Sequence, residues 1–572
     1  MRNVVHRLAE RLPLDFRVLY QQFLLRVVDL EALSIEADVP SFLGQFAGVL
    51  ILISVFQTVG FLYGAGRPHG SRLGLLSLAM RSEQSLLAGT MLIAGLTAVA
   101  TWDNTFPDRR DALVLGPLPV RPRTILAAKL AASGTLLGIG VLALNFGMGV
   151  ALPLVTGPGW KLPRAFGAYW FTAASSAVAV YGAVLTVQGM MAAFLPQRWF
   201  LRLSAILQLA AFALFLSVWV FQPGFGSPEE MARAQQHGVL TRWPSFWFFG
   251  LFTQLSGVFP IAAGALARLA WLGLAAVVVG SAGSLLLCYV RTMRKTVEEP
   301  DLVVTRRGKR WRLPLGNSLQ SAIVLFAIRS LARSRQHRVV YAFFLAIVLA
   351  LAVSTLTDVA ATHRTQPVTI GFLMSTLMML CLGTVGLRSI FSLPVSLKAN
   401  WVLQVTQLRA PESYIAATRW AILAMAAIPL WLAVAVLALC YRPWHSVVEH
   451  LIVLALAGSI ITDLSLIGVS KIPFACSYLP GKSNVQYIFW GYAAGFTPLA
   501  MIFSRYELEV LDTPLRYAAL TTSLALVAVE LWMVNAWRAK SAVMHYEEHE
   551  PELITTLGIG TWRPRNREAD LA

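Results

Sequence analysis

The stretch FLGQFAGVLILISVFQTVGFLY, residues 42–63, contains no charged side chain. A helix needs about 20 predominantly apolar residues to cross a bilayer, so this stretch predicts a transmembrane helix. Comparable stretches recur along all 572 residues. Only 13% of the residues are charged, whereas soluble domains carry about 25%, and the mean hydropathy is +0.64. The chain is therefore predicted to be a polytopic α-helical membrane protein.

The apolar stretches predict an all-α transmembrane bundle of about 12 spans. The N-terminal residues lack the uninterrupted apolar region of a secretory signal peptide, so no cleaved leader is expected. The predicted spans are 42–63, 84–102, 125–155, 166–195, 200–222, 264–290, 339–358, 368–390, 414–440, 446–470, 486–504 and 515–537.

The distribution of basic residues predicts the orientation. The net charge is +18, and most of the 47 lysines and arginines fall in segments that are cytoplasmic if the N-terminus is cytoplasmic. Cytoplasmic loops of membrane proteins carry an excess of Lys and Arg, so both termini are predicted to be cytoplasmic. Arg67, Arg72 and Arg81, in the predicted first outer loop, are exceptions.

The chain divides into two similar halves. A basic linker, RTMRKTVEEPDLVVTRRGKRWRLPLGNS (291–318), separates a first half (1–290) from a second half (319–540), and a polar tail follows (541–572). Each half is predicted to contain six spans preceded by an amphipathic helix. These two helices are expected to lie in the inner membrane interface, with apolar faces toward the acyl chains and basic faces toward anionic headgroups; a solvated helix is the alternative.

A short pattern repeats after the second span of each half. LPVRPRTILAAK (118–129) in the first half corresponds to RAPESYIAATR (409–419) in the second. Within them, Ile125, Ala127 and Lys129 match Ile415, Ala417 and Arg419. Together with the matching helix counts, the pattern indicates a duplication, and parallel repeats of six spans are typical of transporters with a pathway between two halves.

The segment FPDRRDALVLGPLPVRPRTILAAKL (106–130) resembles the inner loop of ABC-2 type ABC transporter permeases. The amphipathic helix before the first span and the large outer loop between spans five and six (222–260) are similar to that family as well. The second half resembles it more loosely, because its corresponding loop (505–516) is short. The whole chain would thus resemble a fused pair of six-span permease units in the plasma (inner) membrane of a bacterium.

The resemblance implies that a separate cytoplasmic ATPase, holding ATP and Mg²⁺, docks on the inner loops and drives transport of an unknown substrate, with export the expected direction. This chain would then be no enzyme and would hold no cofactor. Short helices carrying charged and apolar residues suit such docking, although anchoring by positive charge would explain the basic residues equally. The docking candidates are Phe106, Asp108, Arg109, Arg110, Asp111 and Leu113 in the first half, and Lys398, Trp401, Arg409, Pro411 and Glu412 in the second.

Two short motifs suggest enzyme sites but lack the required context. CSYLPGKSN (476–484) contains Gly-Lys-Ser, yet a phosphate-binding loop needs a glycine where Cys476 stands, and a preceding strand. HYEEH (545–549) matches an inverted zinc-protease pattern, but it lies in the polar tail without a further ligand in helical context. A turn and a solvated helix end are the expected structures. Dispersed acidic residues in the outer loops, such as Glu229 and Glu507, argue against a membrane-embedded transferase or hydrolase.

Asp463 and Glu530 fall inside the predicted tenth and twelfth spans. Carboxylates within a membrane are costly and often functional, so a proton-coupled secondary transporter using both residues is the alternative function. They could instead complete a polar seam with Lys471 or Asn535.

The segment RWPSFWFFGLF (242–252) is dense in aromatic residues, which favours an aromatic belt at the outer interface. The other possibility is a gate for an apolar substrate. Its candidate residues are Trp243, Phe246, Trp247 and Phe249.

Overall fold

The protein is described here by a computed structural model, which is helical throughout the part of the chain that it describes. That part comprises residues 13–28, 39–66, 72–102, 115, 118–157, 159–195, 197–220, 222–223, 228–258, 263–298, 317–361, 368–395, 411–438, 444–467, 469, 472–475, 485–511 and 513–541.

Ten α-helices are described before residue 300. They are α1 Leu14–Val28, α2 Val39–Gly66, α3 Arg72–Ala100, α4 Pro122–Leu144, α5 Met148–Thr156, α6 Leu162–Phe194, α7 Gln197–Val220, α8 Pro228–Gln236, α9 Pro244–Ser256 and α10 Gly264–Glu298.

Eight α-helices are described after residue 316. They are α11 Ser318–Arg333, α12 Arg335–Ala361, α13 Ile370–Phe391, α14 Pro411–Ile422, α15 Ile428–Ala438, α16 Trp444–Ser465, α17 Val485–Leu511 and α18 Pro514–Ser541. A π-helical segment, Leu423–Ala427, joins α14 to α15.

Within the described residues, nine helical segments are long and apolar enough to cross a membrane. They lie in α2, α3, α4, α6, α10, α13, α14–α15, α16 and α18. Helices α7 and α12 contain shorter apolar stretches, Ile206–Val220 and Val340–Val353. Helix α17 carries Arg505, Glu507 and Glu509 near its end. The polytopic membrane class is thus supported, whereas the count of 12 stays a prediction.

Local sequence explains several helix ends. Pro122 and Pro244 stand at the first positions of α4 and α9, where the fixed backbone of proline suits a helix start. Thr369 caps α13 by accepting a hydrogen bond from the Phe372 backbone amide. Helix α9 ends at Gly257, which adopts a left-handed conformation with φ 64°.

Three predicted boundaries need correction. Helix α3 begins at Arg72 rather than at residue 84, so Arg72 and Arg81 belong to a helix and not to an outer loop. The predicted span 125–155 is broken near Asn145 into α4 and α5. Helix α17 continues to Leu511, so much of the predicted outer loop 505–516 is helical. The first and third errors arose because polar residues were taken as ends of helices that continue past them. The second arose because the apolar run 125–155 does not reveal the break at Asn145.

The amphipathic helices α1 and α11 pack part of their apolar faces against protein, while Leu14 and Val18 of α1 and Phe326 of α11 are exposed, so their interfacial position stays a prediction. Leu19 and Phe23 of α1 pack against Ile125 and Ala128 of α4. In the same way, α11 packs against α14, where Ile323 joins Tyr414 and Ala417. The exposed basic side chains Arg329 and Arg333 are compatible with a solvated or headgroup-facing surface.

Helix pairing before the linker has counterparts after it. Helix α3 packs on α6 and α7, and α13 packs on α16 and α17; likewise, α6 packs on α10 and α16 on α18. The two groups of helices meet at α7 and α12, where Phe212 and Ala213 contact Ala342 and Ala346.

Candidate functional site: buried charges in the helix bundle

Most predicted ATPase-docking residues lie outside the described residues. These are Phe106, Asp108, Arg109, Arg110, Asp111, Leu113, Lys398, Trp401 and Arg409. Pro411 is the first residue of α14, and Glu412 is exposed in its first turn. Glu412 is therefore the one candidate whose side chain can be judged, and it is accessible to a partner.

The aromatic segment forms helix α9, which packs against protein, and its place relative to the outer interface stays a prediction. Helix α9 contacts α3, α6 and α10, and Phe246 and Phe249 are almost completely buried. Trp247 is partly buried and donates its indole N–H to the Thr241 carbonyl at 2.8 Å. Trp243, also partly buried, is the residue before α9. Aromatic density alone does not distinguish a membrane belt from a packed core, and here the core provides the surroundings.

Asp463 forms a bidentate ion pair with Arg419. Arg419 Nε lies 2.7 Å from Asp463 Oδ1, and Arg419 Nη2 lies 3.0 Å from Oδ2. Nη2 also contacts Ser459 Oγ at 3.2 Å. The aspartate side chain is completely buried, whereas that of Arg419 is 22% exposed. Two parallel charge-assisted hydrogen bonds join the two side chains and link α14 to α16.

Asp463 and Glu530, the carboxylates of the proton-coupled alternative, have different surroundings. Asn535 of α18 donates its side-chain amide to the main-chain carbonyl of Asp463 at 2.8 Å, which matches the expected polar seam. Glu530, five residues earlier on α18, is exposed. The α-helical period places these two α18 residues on different faces of the helix. Lys471 lies outside the described residues.

A second buried acid–base pair links three helices. His450 Nδ1 lies 2.7 Å from Glu507 Oε1, and His450 Nε2 lies 2.8 Å from the Thr376 hydroxyl. All three side chains are almost completely buried. The hydroxyl–imidazole–carboxylate order matches that of hydrolase triads, but Thr376 Oγ1 also contacts the carbonyls of Phe372 and Leu373 within its own helix. The arrangement therefore ties α13, α16 and α17 together.

Lys129 of α4 corresponds to Arg419 in the repeated pattern. Its side chain is buried, and Nζ lies 5.1 Å from the centroid of the Phe23 ring of α1. A cation over an aromatic face is attracted by the ring quadrupole. A cation that is at least partly buried thus occupies the corresponding helix position before and after the linker, and before the linker an aromatic ring is one of its neighbours.

Glu83 of α3 is completely buried, and neither carboxylate oxygen has a hydrogen-bond partner among the described residues. Burying an unpaired ionised carboxylate is strongly unfavourable. Some nearby polar groups are connected: Tyr169 donates to Asn145 Oδ1 at 2.7 Å, and Asn145 Nδ2 lies 3.0 Å from Thr90 Oγ1. Other buried polar atoms, such as Ser133 Oγ and Trp170 Nε1, also lack a partner in the described part of the chain, but Glu83 differs from them in being a carboxylate. Buried carboxylates within a membrane are functional candidates.

Sequence reasoning missed Glu83, His450 and the burial of Glu507. Glu83 preceded the predicted second span, and Glu507 was assigned to a loop. The apolar residues on both sides of Glu83 and of Glu507 were a more useful signal, because α3 and α17 continue through these two acidic residues.

The two enzyme-like motifs, 476–484 and 545–549, lie outside the described residues. Within the described part, no three or more His, Cys, Asp or Glu side chains are grouped to hold a metal ion. Cys381 is a buried free thiol in α13.

Comparison with known proteins provides no relative for this chain. No family model, curated protein or solved structure matches it.

Proposed function

We propose that this chain is the membrane-spanning subunit of an ABC-2 type transporter, an exporter energised by a separate cytoplasmic ATPase. In this proposal the chain binds the ATPase through its inner loops and hydrolyses no ATP itself. It would reside in a bacterial inner membrane with both termini in the cytoplasm and form 12 spans in two halves.

The corresponding helix pairs carry the proposal. An amphipathic helix packs on the third predicted span in each half, as α1 on α4 and α11 on α14. The second predicted span of each half packs on the fourth and fifth, as α3 on α6 and α7 and α13 on α16 and α17. Equivalent pairing supports duplication of one six-span unit, and two related halves suit a pathway that opens alternately to either side.

Helix α14 provides a route by which a docked ATPase would move the bundle. Glu412 is exposed in the first turn, at the end predicted to be cytoplasmic. Seven residues further on, about 10 Å along the helix, Arg419 is joined to Asp463 of α16. Asn535 of α18 binds the Asp463 carbonyl. A push on the start of α14 would therefore displace three helices together.

The π-helical segment Leu423–Ala427 follows directly after this network. Such wide turns occur frequently at functional sites and permit local bending. The segment therefore allows the part of α14 next to the ATPase to tilt while α15 remains packed.

Co-purification tests the proposal. The tagged full chain, extracted from its native membrane in mild detergent, should retain a protein with ATPase activity. Glu412→Lys should reduce the amount retained, because it reverses the charge at the exposed start of α14. Glu229→Lys is the matched control, since Glu229 is exposed on α8. Absence of any associated ATPase, or equal retention in both variants, would contradict docking at α14.

Glu83 favours one second candidate, a proton-coupled transporter. Asp463 is held by Arg419 and Glu530 is exposed, so the buried Glu83 is the better proton carrier. Vesicles containing only this chain, a pH-sensitive dye and a small-molecule extract of the host should then show proton flux that Glu83→Gln abolishes. Equal flux in both proteins would reject Glu83 as the carrier.

A further inference from the structure

A cavity of about 760 Å³ lies between α11, α14, α16 and α18. Ligand pockets in proteins commonly have volumes of about 300–1,000 Å³, with mostly apolar walls and a few polar groups. Gln320, Glu412 and Lys540 line the cavity near the ends of their helices. By the predicted orientation, these ends are on the cytoplasmic side.

The walls of the cavity are mostly apolar. Trp420 and Trp532 line it together with Val529 and Ala536. Trp532 and Val529 are about half exposed, and few residues in the apolar window of α18 are buried. The cavity therefore borders the surface that would face lipid, and its open side is accessible to an acyl chain.

Arg419 supplies hydrogen-bond donors deeper in the cavity. Asp463 and Ser459 accept hydrogen bonds from its Nε and Nη2 atoms, and its Nη1 group takes part in neither contact. The ion pair fixes the guanidinium plane, so these donors are pre-organised for an acceptor. Lys540, exposed at the mouth, adds a second cation. Arginine and lysine are the usual partners of phosphate oxygens in proteins.

We propose that this cavity binds one phospholipid of the cytoplasmic leaflet. Its phosphate contacts Arg419 and Lys540, and its acyl chains lie along Trp420, Trp532 and the exposed face of α18. Glu412 is an acidic side chain at the mouth, and it suits a headgroup that also carries an amine. Lipid binding here requires no ATPase and no transport, although Glu412 and Arg419 also belong to the α14 route proposed above.

Retention of lipid by the purified full chain tests the site. Native mass spectrometry of detergent-washed protein should show bound phospholipid in the wild type. Ala536→Trp, which fills the cavity, should lower retention by about tenfold, equivalent to about 1.4 kcal/mol. Ala519→Trp is the matched control, because Ala519 is exposed on α18 away from the cavity, and it should retain lipid. Lys540→Ala should lower retention by about two- to fivefold, as expected for an exposed ionic contact.

Thermal unfolding of delipidated protein distinguishes the possible ligands. Dioleoyl phosphatidylethanolamine should raise the melting temperature of the wild type and of Ala519→Trp, but not that of Ala536→Trp. Dioleoylglycerol, which lacks phosphate, and inorganic phosphate, which lacks acyl chains, should each have little effect. Protection by inorganic phosphate alone, or equal lipid retention in all variants, would overturn the proposal. If Ala536→Trp does not fold, unchanged retention in Lys540→Ala would also overturn it.

Discussion

The helices before and after the linker bury charged groups in different ways. After the linker, both buried carboxylates are paired with a base on another helix, Asp463 with Arg419 and Glu507 with His450. Before it, Lys129 lies against an aromatic ring and Glu83 has no hydrogen-bond partner among the described residues. Similar helix pairing thus accommodates both paired and unpartnered buried carboxylates. The difference indicates that the pairs after the linker are structural, whereas Glu83 is available for function.

Among these substitutions, removal of the Asp463 carboxylate should reduce the stability of the protein most. Asp463→Leu leaves Arg419 without its counter-charge and should destabilise the protein by about 3–5 kcal/mol. A fall in the melting temperature of the detergent-solubilised chain would show this loss. The double variant Arg419→Met/Asp463→Leu should recover most of it, because apolar replacement of a buried ion pair is often neutral. A single variant as stable as the wild type would mean that the pair contributes nothing.

Glu507→Gln should cause the second largest loss of stability. It removes the carboxylate next to His450 but keeps one possible hydrogen bond, so a loss of about 1–3 kcal/mol is expected. The same melting measurement applies, with Glu509→Gln as the control on the same helix. Equal effects of the two substitutions would show that the buried pair has no special role.

Phe23→Leu tests the contact between Lys129 and the Phe23 ring. It removes the ring beneath Lys129 while leaving an apolar side chain, and a loss of about 1–2 kcal/mol is expected. Phe326→Leu is the control, because Phe326 lies on the corresponding helix α11 and is more exposed than Phe23. If both variants have the melting temperature of the wild type, the Phe23 ring does not stabilise Lys129.

Glu83→Gln should have the smallest effect on stability, below about 1 kcal/mol, because no hydrogen-bond partner is lost. The substitution preserves shape and removes only the ability to carry a proton. Its melting temperature should therefore be close to that of the wild type while Glu507→Gln melts lower. A large destabilisation by Glu83→Gln would show that the carboxylate has a structural partner, and the contrast between the two groups of helices would disappear.

Helix positions were largely predictable from the sequence, and the candidate site was not. The hydropathy pattern located segments such as α2, α6 and α13 within a few residues. The same method placed the end of α17 too early, because its last turns contain Arg505, Glu507 and Glu509, of which Glu507 is buried. Aromatic density did not show that α3, α6 and α10 pack against α9. Local patterns report the polarity of a segment but not which segment covers it.

The sequence by itself predicted a helical membrane protein, because the free energy of transferring a segment into a bilayer depends mainly on its own composition. It also showed Asp463 as an unusual acidic residue within an apolar stretch. Only the tertiary structure decided which partners the buried charges have. Arg419 and Asp463 are 44 residues apart, and His450 and Glu507 are 57 apart. An ion pair or a buried unpaired acid depends on distances of a few ångströms between helices, and those distances are set by packing.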